Sequence, residues 1–245
     1  MYVTDSIFLA ASGASGFDLS QALDCNVWLF TTGNDHYLFD SGAGLDVDGL
    51  FSRMRAAGLD PMGLKMLFLT HGHADHSGGG AEIARHVPDI QIVAGQKTAD
   101  ILATGDERLI SLDRARGRVY PLDYVWQAPR VDRVLQDGEV LDAGPFRVKL
   151  IATPGHSDDH CAFLVEGQGL QALVAGDAVF ANGRVVLQDI EDCSVSKTLA
   201  SIRRLATLEF EIFLAGHDRF SLRNGRRHVE AALVYADAGL PPPQL

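Results

Sequence analysis

Short apolar runs separated by polar, glycine-marked turns dominate the first third of the chain. Residues 7–11 and 26–31 read as strands, and 36–39 as a third reached through the turn Gly33-Asn34-Asp35. Residues 47–57 carry helical spacing, with Leu50, Phe51 and Met54 on one face and Gly58 as the stop. Asp60 and Pro61 form an N-cap and first-turn pair before a strand at 66–70. A helix over 81–86 and a short strand at 91–93 follow. Beyond Arg147 strands and helices alternate, with apolar runs at 148–151, 172–176 and 212–216 and amphipathic helices at 196–205 and 222–236. Residues 97–127 break this rhythm. They mix helix formers with Gly105, Gly117 and Pro121 and carry Tyr120, Tyr124 and Trp126, which reads as an irregular helical insertion.

The chemistry sits where the strands stop. The run Met66-Leu67-Phe68-Leu69 ends at Thr70 and opens into His71, His73, Asp75 and His76, followed by three glycines. Imidazole and carboxylate are ligands that Zn, Fe and Mn accept, and the glycines allow a tight turn before the next helix. Three later strands end the same way, each presenting one metal-capable side chain: His156 after Thr153-Pro154-Gly155, Asp177 after Gly176, and His217 after Gly216. Strand ends at one edge of a sheet converge, so seven ligands from four loops suffice for two ions.

The H-x-H-x-D-H stretch, followed by separate His, Asp and His motifs, resembles the signature of the metallo-β-lactamase-fold hydrolases, within the glyoxalase II-like and lactonase-like branch. Phe39-Asp40-Ser41-Gly42 is similar to that superfamily's early D-S-G element. The resemblance covers nearly the whole chain and implies an α/β fold: a four-layer αββα sandwich of two mixed β-sheets flanked by helices, forming a single domain over 1–245 with the insertion at about 97–127. It also implies a ligand assignment. His71, His73 and His156 would hold one ion, Asp75, His76 and His217 the other, and Asp177 would bridge. A carboxylate has two oxygens and can bridge, whereas an imidazole offers one nitrogen at a time. Asp40 is a candidate to hydrogen-bond a ligand histidine from behind, with turn capping as the alternative. His160 is expected at the pocket edge or behind the ligands, and His36, His86 and His228 at the surface. Asp158 and Asp159 add negative charge beside His156.

Composition narrows the setting. The chain has 245 residues, enough for one large domain, and nothing marks a linker. A net charge of −11 argues against a nucleic-acid or anionic-membrane partner. Arg219, Arg223, Arg226 and Arg227 form a local basic patch, read as a solvated helix face, with an anion site near His217 as the alternative. The three cysteines, Cys25, Cys161 and Cys193, give no disulfide framework and suit a reducing cytoplasm. No signal-peptide pattern opens the chain.

The expected function is a binuclear metal-dependent hydrolase that cleaves a small ester, thioester or lactone by attack of a metal-bound hydroxide on the carbonyl, with Asp75 orienting the nucleophile. Two divalent ions are expected, zinc first, with iron or manganese compatible. The alternative is a mononuclear iron oxidoreductase resembling the persulfide dioxygenases, its iron held by His71, His156 and Asp177. A phosphodiesterase or a β-lactamase ranks lower: Asp177 stands where the commoner zinc β-lactamases carry cysteine, and Cys193 lies too far along the chain to replace it. Related lactonases place a tyrosine three residues after the bridging aspartate, where this chain has Phe180, and glyoxalase II carries a long helical C-terminal region that the short stretch after His217 does not match. The substrate is expected to be a small molecule, walled by Tyr120, Tyr124, Trp126 and Phe180, and a homodimer is an open alternative.

Overall fold

The computed structural model describes residues 1–245 and divides them into two compact units, Met1–Val134 and Leu135–Leu245. The first unit is built on a mixed sheet of strands β1 (Ile7–Ala11), β2 (Val27–Thr31), β3 (His36–Phe39), β4 (Leu64–Leu69), β5 (Gln91–Gly95) and β6 (Arg133–Leu135), in that spatial order. β1, β2 and β3 pair antiparallel, β1 and β2 through the long loop 12–26 and β2 and β3 through the short turn 32–35, and β3, β4 and β5 pair parallel. Parallel pairing needs crossovers. The first is helix α1 (Val47–Ala56), capped by Asp46, whose carboxylate accepts from the Gly49 amide at 2.8 Å. The second contains the one-turn helix α2 (Ala74–Ser77) and helix α3 (Gly80–His86). The apolar face of α1 (Leu50, Phe51, Met54) packs into the same buried cluster as Leu29, Leu38, Leu67 and Ile92 of the sheet.

Parallel β3 and β4 fix where the first functional loops emerge. Phe39 pairs with Phe68, so the chain leaves both strands at one edge, at Asp40 and at Thr70. Ligand sites in open sheets with parallel strands form at such carboxyl ends.

The second unit carries β7 (Val140–Ala143), β8 (Phe146–Ala152), β9 (Cys161–Gly167), β10 (Leu170–Gly176) and β11 (Ile212–Ala215), in the order β11-β10-β9-β8-β7. β7 to β10 form an antiparallel meander and β11 joins β10 in parallel. β8, β10 and β11 therefore run the same way. Their carboxyl ends, which lead to His156, Asp177 and His217, share one edge. The sheet's helices are the long ones. Between α3 and β6 lie α4 (Gln96–Thr104) and α5 (Leu112–Ala115); α6 (Val195–Leu205) and α7 (Arg226–Asp237) belong to the second unit, where Leu199, Ile202, Leu205, Val229 and Ala232 are buried.

Both units thus contain a mixed sheet flanked by helices, the α/β class read from the pattern. The boundaries moved little, except that the last helix begins at Arg226 rather than at 222, but beyond Arg147 strands and helices do not alternate as expected: β8, β9 and β10 follow one another as antiparallel neighbours before α6. The insertion is α4, a 3-10 turn at Glu107–Ile110, α5 and an irregular stretch beyond. No helix is long and apolar enough to cross a membrane, and all three cysteines are free thiols.

Two histidines expected at the surface are instead buried. His36 is 0% and His228 2% exposed, while His86 is exposed as expected. The hairpin register sets Thr31 opposite His36, and the Thr31 hydroxyl meets His36 Nδ1 at 2.9 Å while Nε2 has no partner. Burial lowers the His36 pKa below the ordinary 6.5, so the folded state favours the neutral ring. The unfolded chain then binds a proton below pH 6.5 that the folded chain resists. Stability from this group is complete above that pH and falls as pH drops toward the depressed folded value. We expect wild-type unfolding free energy to fall faster between pH 7 and pH 5 than that of a His36→Leu variant, by up to about 1.4 kcal/mol per pH unit. Parallel curves in denaturant titrations would show that His36 contributes nothing to acid lability.

Candidate metal centre

In the first unit, β4 ends at Leu69, two residues before His71, and the chain then turns into α2, with His73 at its N-cap and Asp75 and His76 inside it. The His71 ring lies 4.7 Å from that of His73 and 4.1 Å from that of His76, centroid to centroid. His76 Nε2 is 3.6 Å from Asp75 Oδ2. His71, His73 and His76 are buried, whereas the Asp75 side chain is 22% exposed.

The glycines after the loop make the turn before α3, as anticipated, and they also meet a second requirement. Gly78 and Gly79 have ordinary right-handed backbone. What they need is closeness. A Cβ on Gly78 would lie 2.6 Å from the Ala43 carbonyl oxygen, and one on Gly79 only 2.3 Å from that of Ser41. The metal loop is thereby pressed onto the chain that leaves β3. Ser41 and His76 add to this: the Ser41 amide and hydroxyl both donate to the His76 carbonyl, each at 2.8 Å.

Asp40 organises the loop from beneath. It is 2% exposed and has φ 59°, a left-handed conformation that aspartate tolerates better than most residues. Its carboxylate accepts from the Thr70 amide (2.8 Å), the Thr70 hydroxyl (3.0 and 3.1 Å) and His76 Nδ1 (2.8 Å). An ionised carboxylate only accepts, so His76 carries its proton on Nδ1. The Thr70 hydroxyl spends its one proton on Asp40, so its contact with His71 Nδ1 at 2.9 Å makes that nitrogen a donor too. Both rings therefore leave the Nε2 lone pair for a metal, as ligand histidines require.

In the second unit, Asp177 Oδ2 lies 3.5 Å from His156 Nε2 and 3.5 Å from His217 Nε2. These distances, and the Asp75–His76 one, are too long for good hydrogen bonds. They match the spacing of about 3.3 Å expected between two donor atoms that share one ion at 2.0–2.1 Å in tetrahedral geometry. His156 Nδ1 faces the Val186 carbonyl at 3.3 Å, which can only accept, so again Nε2 is left for a metal. The donor set of nitrogens and carboxylate oxygens fits zinc, iron or manganese.

A family model described as the metallo-β-lactamase superfamily matches residues 21–217. The chain belongs to the metallo-β-lactamase superfamily. Among curated relatives it is 28% identical over 195 residues to the lactamase-like protein vrtG of Penicillium aethiopicum, covering 79% of this chain and 51% of that one. It is 25% identical over 193 residues to a protein of Aspergillus fumigatus named atrochrysone carboxyl ACP thioesterase, covering 78% and 50%. The chain thus spans about half the length of the curated relatives it matches. Among solved structures, the subclass B3 metallo-β-lactamase BJP-1 of Bradyrhizobium japonicum superposes with a TM-score of 0.69 at 20% identity, over 90% of this chain and 88% of that one. The class B3 di-zinc enzyme LRA-12 from an Alaskan soil metagenome gives 0.61 at 22%, over 78% and 71%. At that identity the likeness establishes the fold alone.

Within this superfamily member the remaining residues fall as follows. His160 is buried, accepts the Asp177 amide on Nε2 at 2.9 Å and meets the Thr153 hydroxyl on Nδ1 at 2.8 Å. With both nitrogens engaged it holds the Asp177 backbone against the β8–β9 loop. Gly155 presses that loop onto α6: a Cβ there would sit 2.5 Å from the Thr198 amide nitrogen. The negative charge at 158–159 is largely absorbed, since Asp158 pairs with Lys197 and Asp159 accepts from the Ser157 hydroxyl at 2.6 Å. Phe180 is 0% exposed and packs in the core of its unit, its ring centroid 6.2 Å from that of His217. In the basic patch, Arg226 pairs with Glu209 at 2.5 Å and Arg227 donates to the Ser221 hydroxyl at 2.9 Å, while Arg219 stays exposed.

The insertion aromatics are buried members of the first unit's core, and each also reaches the metal-loop region. Tyr120 donates to Asp75 Oδ1 at 3.1 Å, Tyr124 to the Ala43 carbonyl at 2.7 Å, and Trp126 to the Ser77 hydroxyl at 3.0 Å. Burial, then the Asp75 charge, pushes the Tyr120 phenol well above its usual range. Two participants carried no signal in the sequence reading. Thr70 reads in the sequence only as a strand end, and Cys25 lies beneath the loop, with Asp40 and His76 within 4.8 Å, its thiol pushed up to about 12 by burial. Asp40→Asn should weaken metal uptake by about 10–100-fold, because it removes the charge and turns one of the two acceptor oxygens used by Thr70 and His76 into a donor. Chelator competition on the purified variant tests this; unchanged affinity would show that Asp40 serves only as a turn residue.

Proposed function

We propose that the protein is a metal-dependent hydrolase whose two half-sites together hold two divalent ions, zinc first among the candidates. His71, His73 and His156 hold one ion, Asp75, His76 and His217 the other, and Asp177 bridges. The observation that carries this reading is the single Asp177 oxygen at 3.5 Å from the Nε2 atoms of both His156 and His217. A carboxylate set between imidazoles assigned to different ions is what a bridge requires. When bound, such ions acidify a water and polarise a carbonyl oxygen.

The chain's own groups supply the rest. Asp75, the most exposed of the ligands on the metal loop, accepts a hydrogen bond from the attacking water and orients it. Asp40, Thr70 and the Val186 carbonyl keep the imidazoles turned toward the reaction. The one buried serine–histidine pair of the second unit does not compete as a nucleophile. His228 Nδ1 accepts the Asn182 amide at 2.9 Å, so Nε2 carries the proton and donates to Ser221 at 2.7 Å. A ring in that state cannot take a proton from the serine.

A thioester is the first substrate class, with oxygen esters and lactones next. The names of the relatives support it, because those of Aspergillus fumigatus and Passalora fulva are called ACP thioesterases. The acyl group would then arrive on a carrier thiol. With a net charge of −11, neither nucleic acid nor an anionic membrane is proposed as a partner.

Metal analysis of the purified protein should give two ions per chain. Asp177→Ala should lose at least one of them and at least about 100-fold in kcat/KM on the best ester or thioester. Cys193→Ser should change neither. A panel of thioesters, lactones, phosphodiesters, β-lactams and persulfides identifies the class. One iron per chain with oxygen consumption on a persulfide would replace this reading by the oxidoreductase one.

A further inference from the structure

The Asp75 carboxylate is held at both ends. Oδ2 faces His76 Nε2 at 3.6 Å, and Oδ1 accepts the Tyr120 hydroxyl at 3.1 Å. We propose that Tyr120 is a positioning residue for Asp75: its phenol occupies one carboxylate oxygen so that the other is presented, together with His76, to the second ion. The proposal rests on the two-ion reading above and extends it to a residue outside every ligand motif.

The case begins with the freedom of an aspartate side chain. Its terminal torsion is broad and nearly two-fold, so an unheld carboxylate presents either oxygen, or both. His71 and His76 are fixed from behind by the Asp40 and Thr70 contacts, and Asp75 has no place in that arrangement. Its side chain is the more exposed one, in a helix of a single turn. The Tyr120 hydroxyl restrains the carboxylate directly, at Oδ1.

Tyr120 can do this because it is itself immobile. It is 8% exposed and stacks on Tyr124 with centroids 4.7 Å apart and planes 28° from parallel. The Tyr124 hydroxyl is anchored on the Ala43 carbonyl. The backbone around Tyr120 is closed on itself, with its amide on the Ala115 carbonyl and its own carbonyl accepting from Gly117 at 2.7 Å. Arg116 clamps the segment, donating to both Glu107 carboxylate oxygens at 2.6 and 2.8 Å and to the Tyr124 carbonyl at 3.1 Å. Trp126 closes the far end through Ser77, whose hydroxyl donates on to the Gly72 carbonyl at 2.8 Å. The phenol is therefore delivered to Asp75 by a braced segment.

Zinc titration of apo-protein against a chromogenic chelator tests the proposal without using activity. Tyr120→Phe keeps the ring and its stacking and removes only the hydroxyl. It should weaken the second equivalent of zinc by about 10–100-fold and leave the first within about twofold. The cobalt-loaded variant should show an altered visible spectrum for the second ion only. Tyr124→Phe, which loosens the anchor of the stacked ring on Ala43 but leaves the Tyr120 hydroxyl in place, should weaken the second equivalent by less than Tyr120→Phe does. The proposal is overturned if Tyr120→Phe binds the second equivalent as tightly as wild type. It is equally overturned if Tyr124→Phe weakens it as much, since loosened packing would then be the cause. A wild-type chain that takes up one ion at saturation instead removes the two-ion reading, a result distinct from either.

Discussion

The buried carboxylate of Asp40 is the interaction on which the first half of the site depends. A charge in that position is costly unless every lone pair is used. Here the amide and hydroxyl of Thr70 and the Nδ1 proton of His76 use them. Hydrogen bonds to a charged group are worth about 1.5–3 kcal/mol each, so the network holds its own geometry. The consequence reaches beyond Asp40. Because the carboxylate can only accept, it dictates which nitrogen of His76 is protonated and, through one hydroxyl, which nitrogen of His71. Two ligand lone pairs are aimed by one residue that is not a ligand.

That arrangement depends on topology. Asp40 and Thr70 meet because β3 and β4 are parallel with Phe39 opposite Phe68, and the glycines at 78 and 79 let the loop lie against Ser41 and Ala43. The second unit reaches a similar result by other means. Three same-direction strands end at one edge, and neutral contacts tie the loops together: His160 to the Asp177 amide, Val186 to His156. Arg184 adds an ion pair at 2.5 Å to Asp218, the neighbour of His217, so the loops after β10 and β11 are joined as well.

Much of this was legible in the sequence, because ligands in an uninterrupted motif need no tertiary information to be recognised. The strand-to-loop transitions at Thr70, Gly176 and Gly216 were visible for the same reason, since apolar runs ending in small residues mark strand ends locally. What was not legible depends on register and on approach. His36 looked like a surface residue because nothing local says that Thr31 sits across the hairpin from it. The turn at the glycines was visible locally, whereas the close approach of Gly78 and Gly79 to Ala43 and Ser41 depends on another segment. Tyr120, Tyr124 and Trp126 stood out as aromatics, yet which of them would reach Asp75 depends on how an irregular segment folds back over a loop more than forty positions earlier.

The ion itself is not what makes this fold. Chains that fold only on binding metal are small and have little core. Here each unit buries its own apolar cluster: strand residues against α1 in the first, and against α6 and α7 in the second. The hydrogen bonds that aim the imidazoles are made between groups of the chain itself. Metal binding to such a site spends little of its free energy on ordering side chains, which is the physical content of preorganisation. It then stabilises the fold by mass action, through its preference for the native chain. Loop residues that aim the ligands are thus under two demands at once. They must be rigid enough to fix lone-pair directions, and they must leave one face of the loop, where Asp75 is partly exposed, accessible.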